Sequence, residues 1–234
     1  MQKDIQGNHM LDKSPQPGLA NNEVKRALTP RKRDSAATRA RILGAATEEF
    51  CTKGYDGARM EKIVARAGCN IRMAYHYFGR KEDLYLAVLE RAYEQVRSRE
   101  AELDLKQLEP AAGMKALIEF TFDHIANHPE FTALMSTENI LKGRFLKKST
   151  QVPETTIPLV EAIRDLLDRG ETIGVFRRNV DPVQLYITIL SVSYIHISNR
   201  FTLSIIFQQD LSDKAWLRKR RQHACDVVMR FLQS

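Results

Sequence analysis

Two short amphipathic stretches separated by three residues constrain this chain of 234 residues more than anything else in it. Met60, Ile63, Val64 and Ala67 recur at helical spacing and predict a helix over 60–67. Gly68 supplies a left-handed stop. Asn70 can cap a following helix, Ile71 to Phe78, by accepting a bond from a free N–H, and Gly79 ends it. Two helices joined by a three-residue turn containing glycine have helix-turn-helix spacing. In that motif the second helix lies in a major groove with its N-terminal half toward base edges. Ala74 and Phe78 fall four apart and point inward. Ile71, Arg72, Met73, Tyr75, His76 and Tyr77 are left outward, a surface suited to hydrogen-bond donors and aromatic contacts rather than core packing.

The formal charge of +7 is unevenly placed: residues 1–34 carry +3, residues 35–81 carry +5 and residues 82–234 carry −1. The excess coincides with the motif and the segment before it, the charge plan of a nucleic-acid reader joined to something near-neutral. With 43% hydrophobic and 28% charged residues the chain reads as globular, not disordered. Cys51, Cys69 and Cys225 are far apart, odd in number and form no C-x-x-C pair, which argues against a disulfide scaffold or zinc ribbon and fits a reducing cytoplasm. Cys69 reads as a packed residue. Residues 1–34 read as a flexible basic tail with no apolar run, hence no secretory signal. The tail ends in Arg31-Lys32-Arg33, which suits a minor groove or phosphates, or plain solvent.

The rest of the chain reads as helical. A first helix starts at an Asp34 or Ser35 cap, carries Ile42, Ala46 and Phe50, and stops at Gly54. A fourth runs from Lys81 to about Leu103. Others hold Leu117 to Ile125, Glu130 to about Phe145 (Leu134, Met135 and Ile140 inward), and Ile157 to about Thr172. Segment 183–207 has partly strand-like alternation, but Asp181-Pro182 is a strong helix start, and a break is expected at Asn199-Arg200. Eight polar or proline residues in Pro182–Asn199 argue against a membrane span. A last helix covers about 213–232, with Arg218-Lys219-Arg220-Arg221 expected on a solvated face. The fold class is therefore all-α, with a three-helix DNA-binding part over 35–81 and a helical part over 82–234.

Ala67-Gly68-Cys69-Asn70 continuing to Tyr75-His76-Tyr77-Phe78-Gly79-Arg80-Lys81-Glu82-Asp83-Leu84 resembles the signature A-G-V-S-x-x-x-x-Y-x-Y-F-x-x-K-E-x-L of the TetR family of transcriptional regulators. Ile42, Ala46, Phe50 and Gly54-Tyr55 resemble that family's first helix, and Gly174-Val175-Phe176-Arg177 with Asp181-Pro182 resembles the link before its dimerisation helices. The close match covers about residues 36–90. A weaker resemblance is to the subgroup that regulates uptake or catabolism of nitrogen heterocycles. The resemblance implies that Ile71, Arg72 and Met73 read bases. Arg72 is the best specificity candidate, because a guanidinium can bond guanine O6 and N7 together, with a phosphate contact as the alternative. It also implies phosphate or thymine-methyl contacts from Tyr75 and Tyr77, and a phosphate contact from Lys81. Where the family has Thr or Ser at the start of the second helix, this chain has Ala58-Arg59-Met60, so Arg59 is the substitute phosphate contact and the capping is lost.

The resemblance further implies a homodimer formed by the helices near 183–207 and 213–232, a near-palindromic double-stranded operator, and a small-molecule effector that releases a repressor. Phe120, His124, Met135, Glu138, Tyr194 and Asn199 are the candidate effector residues, since a pocket between helices needs such a mixture of aromatic and polar groups. No cofactor, no resident metal and no membrane partner is implied. No nucleophile motif, Walker loop or catalytic carboxylate pair points to an enzyme. Two other classes stand beside this one. One is a metal-dependent enzyme or sensor using His124 and His128, four apart on a helix, although two ligands make an incomplete site. The other is an interaction protein whose helix-turn-helix no longer binds DNA.

Overall fold

The computed structural model describes residues 30–233, with side chains from Asp34 onward. The side chains of Arg31-Lys32-Arg33, and with them the proposed basic arm, lie outside the described residues. Those described form ten α-helices: α1 (Pro30–Gly57), α2 (Met60–Ala67), α3 (Ile71–Phe78), α4 (Lys81–Ala101), α5 (Pro110–Asn127), α6 (Pro129–Ile140), α7 (Gln151–Thr172), α8 (Pro182–Ser198), α9 (Arg200–Ile206) and α10 (Lys214–Leu232). A 3-10 turn, Leu146–Lys148, lies between α6 and α7.

Several boundaries differ from those the sequence predicts. Helix α1 begins at Pro30, ahead of the Asp34 or Ser35 cap, because a proline at the first helical position lacks only an N–H that would be free anyway. It breaks at Gly54, whose φ of 66° lies in the left-handed region. Helix α6 ends at Ile140 and does not reach Phe145. Lys142 and Gly143 both adopt positive φ there, and the Glu138 carboxylate accepts the backbone N–H groups of Phe145 (2.7 Å) and Leu146 (2.8 Å). That clamp swings Phe145 inward and leaves Ile140 80% exposed, so the expectation of an inward Ile140 is wrong. Helix α7 starts six residues before Ile157. Ser149 Oγ accepts the Val152 N–H at 3.2 Å, and Pro153 stands in the first turn, where its missing donor costs nothing. The break at Asn199 occurs as expected.

Two apolar cores result. The head core joins Ile42, Ala46 and Phe50 of α1 to Ile63 of α2, Ala74 and Phe78 of α3, and Leu84, Tyr85, Val88 and Leu89 of α4. It also takes in Leu134 of α6 and Phe145. The body core joins Met114, Leu117 and Ile118 of α5 to Ile163 and Leu166 of α7, Leu185 and Ile189 of α8, and Cys225 and Val228 of α10. Helix α4 leaves the head and runs on against α7. The basic run on α10 is not wholly solvated. Arg218 and Lys219 face water, but Arg220 donates to the Val192 carbonyl (3.3 Å), and Arg221 bridges Glu119 (3.2 Å) and Asp123 (2.9 Å) on α5.

Candidate nucleic-acid interface

Local chemistry sets α3 at a defined angle on the head. Gly68 takes φ 63°, ψ 42°, and the Cys69 N–H donates to the Val64 carbonyl (3.1 Å), closing α2. Cys69 packs against the head core. Asn70 then accepts the Met73 N–H on its side chain at 2.9 Å, opening α3. Ala74 and Phe78 are buried, and the Arg39 guanidinium of α1 lies 4.8 Å over the Phe78 ring. Arg72, Tyr75 and His76 are exposed, whereas Ile71, Met73 and Tyr77 are half-buried. Ile71 and Tyr77 touch the head core, so part of each side chain serves packing.

The turn after α3 depends on Gly79, at φ 76°. The Arg80 N–H donates to Asp83 Oδ2 at 2.8 Å and opens α4. Lys81 folds back: its Nζ lies 4.8 Å over the Tyr55 ring and donates to the Asp56 carbonyl at 3.4 Å, and burial lowers its pKa. Arg59 is exposed at the start of α2 and makes no side-chain cap, as expected from the missing hydroxyl. Its backbone N–H donates to Glu49 Oε1 at 3.4 Å. The sequence did not single out Arg39, which lies over Phe78, and placed Tyr55 only at the end of the first-helix pattern, not under Lys81. Their signal was aromatic–cation pairing across helices, which spacing in one helix does not reveal.

In the body two small cavities lie along α4. One, of about 140 Å³, is lined by Ala92, Gln95, Arg99, His124, His128, Glu130 and Phe131. Arg99 Nη1 is 2.6 Å from His128 Nε2, and His128 Nδ1 is 2.8 Å from Glu130 Oε1. Arginine only donates, so Nε2 accepts and the ring proton sits on Nδ1, facing Glu130. Both His128 nitrogens are thus engaged. The His124 and His128 rings are 4.4 Å apart, but no group of three potential metal ligands exists among the described residues. The second cavity, of about 190 Å³, has Arg97 and Glu100 in its wall. Glu100 accepts from Arg97 and from the Tyr186 hydroxyl (3.0 Å), and burial raises its pKa. This ionic network was missed, although Arg97 and Glu100 stand three apart on one helix.

Of the six candidate effector residues, His124 lines the first cavity and Phe120 stacks on it at 5.8 Å. Met135 Sδ accepts from Tyr93 (2.9 Å), and the Tyr194 hydroxyl pairs with Ser136 (3.0 Å). Phe120, Met135, Glu138, Tyr194 and Asn199 line neither cavity. Glu138 is the clamp on the turn after α6, and exposed Asn199 bonds Ser198 Oγ at 2.8 Å beside the helix break. Cys51 donates to the Glu130 carbonyl at 3.5 Å, and burial pushes its thiol up to about 12, which makes it unreactive.

Two buried imidazoles make the fold acid-sensitive. Burial, then His128 and Arg99, lowers the His124 pKa to about 4. Burial, then Arg220, does the same to His196, whose ring stacks on Phe122 at 4.9 Å. Both stay neutral in the fold while the unfolded chain protonates near 6.5. Their contribution is therefore present above pH ~6.5 and lost as the pH falls from there toward 4. A His196→Leu variant should flatten the fall in unfolding free energy over that window by up to about 3 kcal/mol, read from urea titrations at each pH. An unchanged slope would show that His196 is not the neutral group.

The comparisons with known proteins agree with this geometry. Residues 42–88 match the family described as bacterial regulatory proteins, tetR family, and residues 110–228 match the tetracyclin repressor-like C-terminal domain. The HTH-type transcriptional repressor NicS of Pseudomonas putida is 36% identical over 184 residues, spanning 79% of this chain and 87% of that protein. The HTH-type transcriptional repressor SCO4008 of Streptomyces coelicolor is 34% identical over 141 residues, 59% of this chain and 69% of that protein. The ketosteroid transcriptional regulator KstR2 of Mycobacterium tuberculosis shares the fold, with a TM-score of 0.61 at 16% identity over 89% of this chain and 97% of that one. No helix among the described residues is long and apolar enough to cross a membrane. By its two family domains and its relatives, this chain belongs to the TetR family of helix-turn-helix DNA-binding transcriptional regulators and is not an enzyme.

Proposed function

We propose that the protein is a cytoplasmic, homodimeric repressor that binds a near-palindromic operator and is released by a small molecule. The observation that carries this is the outer face of α3, where Arg72, Tyr75 and His76 stand exposed on a helix seated by buried Ala74 and Phe78. Arg72 reads a base, with Ile71 and Met73 beside it. Tyr75, His76, Tyr77, Lys81 and Arg59 hold the flanking backbone, and Lys81 swings from the Asp56 carbonyl to a phosphate. One such helix covers few base pairs, so specificity needs two half-sites and two copies. Val183, Ile187 and Ile195 of α8 and Val227 and Phe231 of α10 expose the apolar face on which a second copy pairs as a four-helix bundle. We place the tail at residues 1–34, the DNA-binding domain at 35–81 and the effector and dimerisation domain at 82–234.

Helix α4 supplies the route for release: its first half is in the head core and its second half lines both cavities. A ligand that prefers one α4 position shifts the spacing of the two recognition helices, and only such a preference shifts it. The resemblance to NicS and its subgroup supports a small nitrogen heterocycle as effector. Duplex binding followed by fluorescence anisotropy tests the whole reading. Arg72→Ala should cost about 1–3 kcal/mol on the preferred duplex and relax base preference, whereas Lys81→Ala should weaken all duplexes alike and reduce the salt slope by about 1. Binding that is absent or independent of salt would overturn the proposal.

A further inference from the structure

One strongly basic patch lies outside the DNA-binding head. Lys142, Arg144, Lys147 and Lys148 fall within seven residues in the turn between α6 and α7, with no acid between Glu138 and Glu154. The remainder of residues 82–234 carries −5, so these four cations gather against the charge of their own part of the chain. All four side chains are exposed. Lys148 bridges Glu82 at 3.3 Å, while Lys142, Arg144 and Lys147 pair with no acid among the described residues.

The turn is fixed against the head. The Gly143 N–H donates to the Glu138 carbonyl at 2.9 Å, and the Glu138 carboxylate takes the N–H groups of Phe145 and Leu146. Ser149 Oγ donates to Glu90 of α4 at 2.7 Å. Phe145 is buried 4.3 Å from Tyr55, the ring over which Lys81 lies. Arg144 and Lys148 lie over Phe145 in turn, 5.2 and 5.7 Å from its centroid. Two touching rings therefore carry cations from both parts of the chain, and Lys148 ends on Glu82, the residue beside Lys81.

We propose that this turn is a second phosphate-binding element, in which Arg144 and Lys147 hold the operator backbone next to the phosphate taken by Lys81. The inference rests on the operator-binding reading above and adds a contact from outside the head. Continuity is the first reason. Each strand of a duplex presents a phosphate about every 3.4 Å along its axis, so a backbone seated at the start of α4 brings further phosphates toward the cations flanking Lys81. Charge is the second, since the cations repel one another and only Lys148 has an acidic partner. Preorganisation is the third. The backbone that carries them is already held by Glu138, Ser149 and the Phe145 ring, so binding orders side chains alone.

Duplex binding by the full chain tests this. Arg144→Gln/Lys147→Gln removes two charges from the turn. Lys106→Gln/Arg178→Gln removes two exposed charges beyond the ends of α4 and α7, where Arg169 of α7 holds the carbonyls of Leu105 and Leu108 away from the head. Each variant is checked for an unchanged helical spectrum and thermal midpoint. The probes are a duplex recovered by the wild type from a randomised pool and a scrambled duplex of equal length, followed by anisotropy over a range of salt. The turn variant should bind both about 10-fold or more weakly at 0.1 M salt, leave the base preference unchanged, and lower the salt slope by about 1 or more. The distal variant should leave the slope as it is, because exposed charges further off than a Debye length of about 10 Å are screened. Ethylation of single phosphates should impede the wild type at one or more positions per half-site to which the turn variant is indifferent. A wild type that binds no duplex overturns the operator reading and this inference together. A wild type that binds, with a turn variant of equal affinity, slope and ethylation pattern, overturns this inference alone. So does a distal variant that loses as much affinity as the turn variant.

Discussion

Phe145→Ala should lower the stability of the protein by about 3–5 kcal/mol, the usual cost of emptying a fully buried aromatic site. Phe145 leaves the turn after α6, yet its ring is buried in the head, 4.3 Å from Tyr55 and 5.0 Å from Tyr85. Tyr55 in turn lies under Lys81 at 4.8 Å. One side chain from the body therefore supports the residue on which a phosphate-binding candidate rests. The thermal midpoint should fall by about 10 °C or more at fixed protein concentration, given ~2–4 °C per kcal/mol for a chain of this size. Duplex affinity should fall further than Arg144→Ala, at the exposed neighbour, lowers it. A stability loss below about 1 kcal/mol would show that the head does not depend on this ring.

Gly170→Ala should destabilise the protein by about 2–4 kcal/mol, against helix propensity, which by itself favours alanine by about 1 kcal/mol. A Cβ on Gly170 would lie 2.0 Å from Phe176 Cδ2 and 2.7 Å from two further ring atoms. Phe176 is buried in the body core and has nowhere to retreat. Its backbone N–H and that of Val175 both donate to the Gly170 carbonyl, at 3.1 and 2.9 Å, and the Arg177 N–H donates to Leu232 at the end of α10 (2.7 Å). Displacing the ring moves the link into α8 and loosens the end of α10, so weaker self-association should accompany the lower midpoint. A neutral or stabilising Gly170→Ala in urea titration would show that Phe176 repacks freely.

The head and its reading helix were visible in the chain because their determinants are local. Gly68, Asn70 and Gly79 act on their own turns, and the inward pair Ala74 and Phe78 follows from a period of 3.6. The same locality explains the Asp181 and Asp213 caps and the break at Asn199. The body was read less well because its site residues answer to distant partners. Glu138, a candidate ligand group by sequence, also clamps the turn after α6, and that role was not legible because the N–H groups it accepts lie seven and eight residues ahead in a turn that no periodicity marks. Ile140 looked buried because it continues a helical stripe, but the helix ends on it.

By itself, then, the sequence determined the all-helical class, the helix-turn-helix, the outward Arg72, Tyr75 and His76, and the basic end of the molecule, all of which depend on spacing within a few turns; that Ile71, Met73 and Tyr77 are half-buried it did not. Only the tertiary structure decided where the head core stops, since Leu134 of α6 and Phe145 of the turn after it, both beyond α5 in the chain, join it. The same holds for Arg97 and Glu100 meeting Tyr186, and for Arg220 and Arg221 turning from water toward α8 and α5. Those choices compare a side chain's gain in water with its gain against a particular neighbour, and the neighbour is known only once the helices have packed.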